Sequence, residues 1–66
     1  MKKLITKEQL INIGNELASG WGAQLIDFEV EKGGNVVTFY MVEYGEHFYS
    51  KLTLKEIVTD YRYLLD

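Results

Sequence analysis

Hydrophobic positions recur at helical spacing near the start of the chain, alternate with acidic residues in the middle, and return to helical spacing near the end. Leu10, Ile13, Gly14, Leu17 and Trp21, with Ala18 beside them, follow a period of 3.6. Thr6 and Gln9 form a capping box ahead of that stripe, and Ile5 and Leu10 occupy the two positions of a hydrophobic staple. Gly20 supplies a stop. The pattern predicts a helix over 7–19. Gly14 inside it costs about 1 kcal/mol relative to alanine. Its presence implies close approach of the helix to the layer beneath. The same start signal recurs at Thr53 and Glu56, with Leu52 and Ile57 as staple, and Leu54, Ile57, Val58, Tyr61, Leu64 and Leu65 form the stripe of a second helix over 54–65.

Between the helices the period is two. In Ile26-Asp27-Phe28-Glu29-Val30-Glu31 apolar and acidic residues alternate, as in a strand with one buried face. Gly33-Gly34 suits the positive φ angles of a tight hairpin turn. About that turn Val30 faces Val37, Phe28 faces Phe39 and Ile26 faces Met41, so every inward pair is apolar. A second turn at Gly45-Glu46 pairs Glu43 with Phe48, Met41 with Ser50 and Phe39 with Leu52. The expected strands are 24–32, 35–44 and 47–52.

The expected fold is α+β: a two-layer sandwich in the order α-β-β-β-α, with a three-stranded antiparallel meander and both helices on one face. The expected core is Leu10, Ile13, Leu17, Trp21, Ile26, Phe28, Val30, Val37, Phe39, Met41, Phe48, Leu52, Ile57, Val58, Tyr61 and Leu64. Trp21 is expected to anchor the helix-to-strand turn within it.

Composition narrows the setting. Sixty-six residues, 47% apolar and 26% charged, make one ordinary globular domain, read as 1–66. Cysteine is absent, which excludes disulfides and thiolate metal sites. Neither a signal-peptide core nor an apolar run of about 20 residues is present, so a cytoplasmic protein off the membrane is expected. A core of this size supplies no more than about 3–5 kcal/mol, which favours self-association or a partner. The net charge of −3 is unevenly spread: residues 1–16 carry +1, 17–50 carry −4 and 51–66 are neutral. An acidic middle opposes phosphate binding, which needs clustered Lys and Arg.

The sheet face without helices is expected to carry Leu25, Val36, Tyr40, Val42, Tyr44 and Tyr49, bordered by Asp27, Glu29, Glu31, His47 and Lys51. Tyrosine is common on solvated strands, but apolar Val42 and Leu25 among the tyrosines point to a contact surface. The expected partner-binding residues are Tyr40, Val42, Tyr44, Tyr49, Asp27, Glu29, Glu31 and His47. Homodimer formation through that face or a strand edge is also expected.

Catalytic candidates are weak. Asp27, Glu29 and Glu31 repeat about 6.5–7 Å apart along the strand, a spacing that suits an inverting carboxylate pair, but exposed carboxylates lack the desolvation that raises an acid's pKa. Glu43, Glu46 and His47 diverge in a hairpin turn, so no metal is assigned. Ser19 and Ser50 lack an activating histidine at motif spacing, and neither glycine pair resembles a phosphate loop. No enzyme and no cofactor are expected. The function expected is a small protein-binding regulator or inhibitor. Acidic residues mixed with tyrosines suit a basic groove on a nucleic-acid enzyme, a target typical of compact phage or mobile-element inhibitors. The alternative is a single-stranded nucleic-acid binder that stacks bases on Tyr40, Tyr44 and Tyr49.

Overall fold

The computed structural model describes residues 5–31 and 33–65. Their elements run α1 (Lys7–Gly20), β1 (Gln24–Val30), β2 (Val36–Glu43), β3 (Glu46–Thr53) and α2 (Leu54–Asp60), with a 3₁₀ turn at Arg62–Leu64. The strands form one antiparallel sheet in the order β1-β2-β3. Both helices cover the same face: Leu10 and Ile13 of α1 and Ile57 of α2 meet Val37 and Phe39 in a single cluster. This is the expected α+β sandwich. The expected end of the first strand at Lys32 lies outside the described residues.

Both helices start as the sequence dictates. The Thr6 hydroxyl accepts from the Gln9 amide at 3.1 Å, and the Gln9 side chain accepts from the Thr6 amide at 2.8 Å. Thr53 and Glu56 repeat the exchange at 3.1 and 2.8 Å. Each box satisfies amides that a helix start leaves unpaired, and each is worth about 1 kcal/mol. Helix α2 is shorter than the stripe implies. Tyr61 leaves helical geometry at φ −120°, and the following 3₁₀ turn lays Leu64 and Leu65 against the core. The Gln9 side-chain amide donates to the Leu65 carbonyl at 3.0 Å and ties this turn to α1. A straight helix would carry both leucines onward at 1.5 Å per residue.

The first hairpin has the expected register from Val30–Val37 to Asp27–Tyr40. A β-bulge between Leu25 and Asp27 then changes it, so that Leu25, not Ile26, faces Met41. The extra residue of a bulge reverses the alternation. Leu25 accordingly turns into the helix layer and leaves the open face where it was expected, while Ile26 is 51% exposed. The second hairpin turns at Tyr44-Gly45, not Gly45-Glu46, with φ of 51° and 80°. Positive φ at both turn residues matches the twist of the flanking strands. The ladder therefore pairs Met41 with Phe48, Phe39 with Ser50 and Val37 with Leu52. This sets Phe48 against an apolar partner where the expected register gave it Glu43. The shift is two residues, so each side chain keeps its face.

Three further expected core residues lie outside. Trp21 is 60% exposed: it lies at the C-cap of α1, beyond the helical stripe, with its indole beside Phe48 at a centroid distance of 6.1 Å. Val30, at the end of an edge strand, and Val58, on the outer side of α2, are also exposed.

Gly14 explains the closeness of α1 to the sheet. A Cβ there would lie 2.7 Å from Leu25 Cδ2 and 2.8 Å from Cδ1 of the fully buried Phe39. Gly14→Ala gains about 1 kcal/mol of helix propensity but overpacks the interface by about 1–3 kcal/mol. We expect a net destabilisation of about 1 kcal/mol, measured by urea unfolding. The bulge is tested in the same way. Leu25→Ala should cost about 2–4 kcal/mol and Ile26→Ala under about 1 kcal/mol; equal costs would mean that Ile26 packs inward.

Candidate functional site

The sheet face away from the helices presents a polar and aromatic surface that follows directly from the two ladders. Tyr40 on central β2 stands between Asp27 on β1 and Tyr49 on β3, and Thr38 stands between Glu29 and Lys51. Residues opposite one another share a face and touch. The Tyr40 and Tyr49 rings are 6.4 Å apart and inclined at 56°. The Tyr40 hydroxyl donates to Glu29 Oε1 at 3.1 Å. Lys51 Nζ reaches over the central strand to Glu31 Oε2 at 3.0 Å. These side chains rim a shallow depression of about 240 Å³ with Thr38 at its floor. Thr38 is buried although it belongs to the open face, because its long neighbours close over it.

The expected contact residues divide into groups. Tyr40, Tyr49, Glu29 and Glu31 gather at the depression. Asp27 lies beside Tyr40, but its carboxylate accepts from the Phe28 amide at 2.8 Å, so it also serves the bulge. Val42 and His47 pair toward the turn end of the same face, with Val42 half-buried and His47 exposed. Tyr44 is not on the face at all. It sits at the tip of the β2–β3 turn, 98% exposed, with φ of 51°. Leu25 faces the helices, as described above. What the sequence reading missed was the Glu31–Lys51 bridge, the buried Thr38 and the exposed Trp21. The bridge had a signal: strand alternation alone puts Glu31 and Lys51 on one face, and the observed register then sets Lys51 opposite Thr38, within reach of Glu31.

The electrostatics are those of an exposed network. The hydrogen bond to Glu29 holds the Tyr40 phenol above its ordinary range, reinforced by burial and the negative charge of Glu29. The hydrogen bond to Glu31, and then its charge, hold Lys51 above the usual lysine range. Both folded groups favour protonation more than their unfolded forms do. Their stabilisation is therefore complete below pH about 10 and fades as pH rises through the raised values. Solvent screens both interactions, so they are a minor contribution to stability.

Among the described residues no three acidic or histidine side chains form a metal-holding group. No helix among them is long and apolar enough to cross a membrane. Comparison with protein-family models, with curated proteins and with solved structures found no match to this chain.

Two outcomes are expected. Glu29→Ala should lower the midpoint at which Tyr40 ionises, read from labelled tyrosine carbons by NMR; an unchanged midpoint would mean that the hydrogen bond does not form in solution. Tyr44→Gly, which relieves a left-handed backbone that L residues rarely adopt, should raise unfolding stability by roughly 1 kcal/mol.

Proposed function

We propose that this chain is a non-catalytic protein-binding module, a regulator or inhibitor that docks its open sheet face onto a basic surface of another protein. The observation that carries this reading is the Tyr40–Tyr49 pair flanked by Glu29 and Glu31 on a face that neither helix covers. Aromatic side chains supply contact area at low entropic cost, and carboxylates beside them select for Arg and Lys. Among the described residues of this face only Lys51 offsets the acids, and it is already engaged by Glu31. The rigid sheet beneath pre-organises the whole set, which reduces the ordering cost of binding. A basic groove on a nucleic-acid enzyme suits this chemistry, and inhibition would follow from occupying the space that phosphates need. Tyr40 is tied to Glu29, and a base stacking there would meet that carboxylate, so nucleic acid is the weaker ligand.

Capture from a host lysate, run in parallel with and without nuclease, tests the proposal in three arms. The wild type should retain a discrete protein that elutes as salt is raised. Tyr40→Ala with Tyr49→Ala should lose it while urea unfolding remains cooperative. Glu29→Lys with Glu31→Lys should lose it as well. Retention by the charge-reversed variant, or elution that ignores salt, would contradict docking on a basic surface. Recovery of nucleic acid without protein would favour stacking instead.

A further inference from the structure

The sheet has two outer edges, and they differ. On β1 the Glu31 amide donates to the Val36 carbonyl at 2.9 Å, so in the alternating antiparallel ladder Glu29 and Asp27 also bond inward while Phe28 and Val30 point outward. The Phe28 amide is taken by the Asp27 carboxylate at 2.8 Å, and the bulge distorts the strand just beyond. That edge is blocked by two devices that sheets use against unwanted pairing. Strand β3 has neither. It is eight residues long, regular along its whole ladder, and free of proline. Its closing pair Glu43–Glu46 directs Glu46, Phe48, Ser50 and Leu52 inward, which leaves the amides of His47, Tyr49 and Lys51 on the outside. Among the described residues, only the outward Thr53 amide at the strand's end is occupied, by Glu56 at 2.8 Å.

We infer that β3 is a self-association edge, and that a second copy of this chain adds its own β3 antiparallel to it about a two-fold axis at Ser50. The sequence of the strand is self-complementary in that register. Ser50 meets Ser50 of the second copy. Phe48 meets Leu52 on the helix side, and Tyr49 meets Lys51 on the open side, each pair occurring twice by symmetry. The amides of Tyr49 and Lys51 in both copies enter the ladder, and that of His47 donates to the second copy's Thr53 carbonyl. The helix layer gives independent support. The register brings the β3 end from which α2 departs, with exposed Leu54 and Val58, to the other copy's end where half-covered Phe48 lies under exposed Trp21. Apolar surface left open at both ends of one strand is thereby covered by symmetry. The product is a continuous six-stranded sheet whose open faces lie side by side, so each dimer would carry two copies of the Tyr40–Tyr49 surface.

The test needs no knowledge of any other partner. Wild-type protein should sediment with the mass of two chains at high micromolar concentration. His47→Pro removes an outward amide without touching the β2–β3 ladder, and should shift the population to single chains while circular dichroism keeps the native spectrum. Ser50→Cys introduces a lone cysteine at a non-hydrogen-bonded pair, where Cα atoms stand about 4.5 Å apart, within disulfide range. It should crosslink to dimer with diamide far more completely than Thr59→Cys on α2. A single-chain mass for the wild type at high micromolar concentration would overturn the inference. So would a dimer that survives His47→Pro, or one that crosslinks no better at 50 than at 59.

Discussion

The contact of Leu25 with Gly14 is the constraint on which the rest of the molecule depends. A helix can lie this close to a sheet only where it lacks a Cβ, and Gly14 provides that place. The space would be wasted without a side chain to fill it. The β-bulge at Leu25–Asp27 turns Leu25 into it, opposite Met41, and leaves Ile26 outside. The Asp27 carboxylate then takes the Phe28 amide beside the bulge. Helix, bulge and cap are one device: close packing sets α1 on the sheet, and Ile13, Phe39 and Met41 are fully buried as a result. With few residues available, that density substitutes for the larger core of a longer chain.

Placing the apolar side chains of the sheet against the helices leaves its other face to solvent, and this asymmetry makes a recognition surface possible. The face is not bare. Thr38 is covered by its neighbours, Tyr40 is held by Glu29, and Lys51 is held by Glu31. Side chains already fixed in the free protein lose less freedom when a partner arrives. Tyr44 marks the opposite strategy. It accepts an unfavourable backbone at a turn where asparagine or glycine would be at ease, and it is almost wholly exposed. Residues that cost stability without serving the fold are concentrated at functional positions.

Much of this architecture is legible in the sequence because local signals agree with one another. Thr6–Gln9 and Thr53–Glu56 mark both helix starts, and Phe28 opposite Phe39 fixes the first register. The failures have physical reasons. Leu25 and Ile26 are both apolar, so alternation alone cannot say which points inward, and the bulge that decides it depends on the helix above. Gly45 belongs to both candidate turns, and the choice rests on Phe48 finding Met41 across the ladder. Trp21 continues the apolar spacing of α1, which alone places it in the core, but it falls at the helix C-cap and stays 60% exposed; Tyr61 ends α2 early, and Leu64 and Leu65 seat against the core. The acidic and aromatic pattern of the open face was readable at Tyr40, Tyr49, Glu29 and Glu31. The placement of Tyr44 was not, since it followed the turn.

Partner contact on the open face of the sheet, as proposed above, has a direct signature. Cross-saturation NMR on the isotope-labelled chain, bound to the unlabelled protein it captures, tests this most directly. Saturation should pass to Thr38, Tyr40, Val42 and Tyr49 and spare Leu10, Ile13 and Ile57 beneath the helices. Transfer concentrated on Ile11, Asn15 and Val58 of the helix layer, with the tyrosines of the sheet untouched, would contradict it.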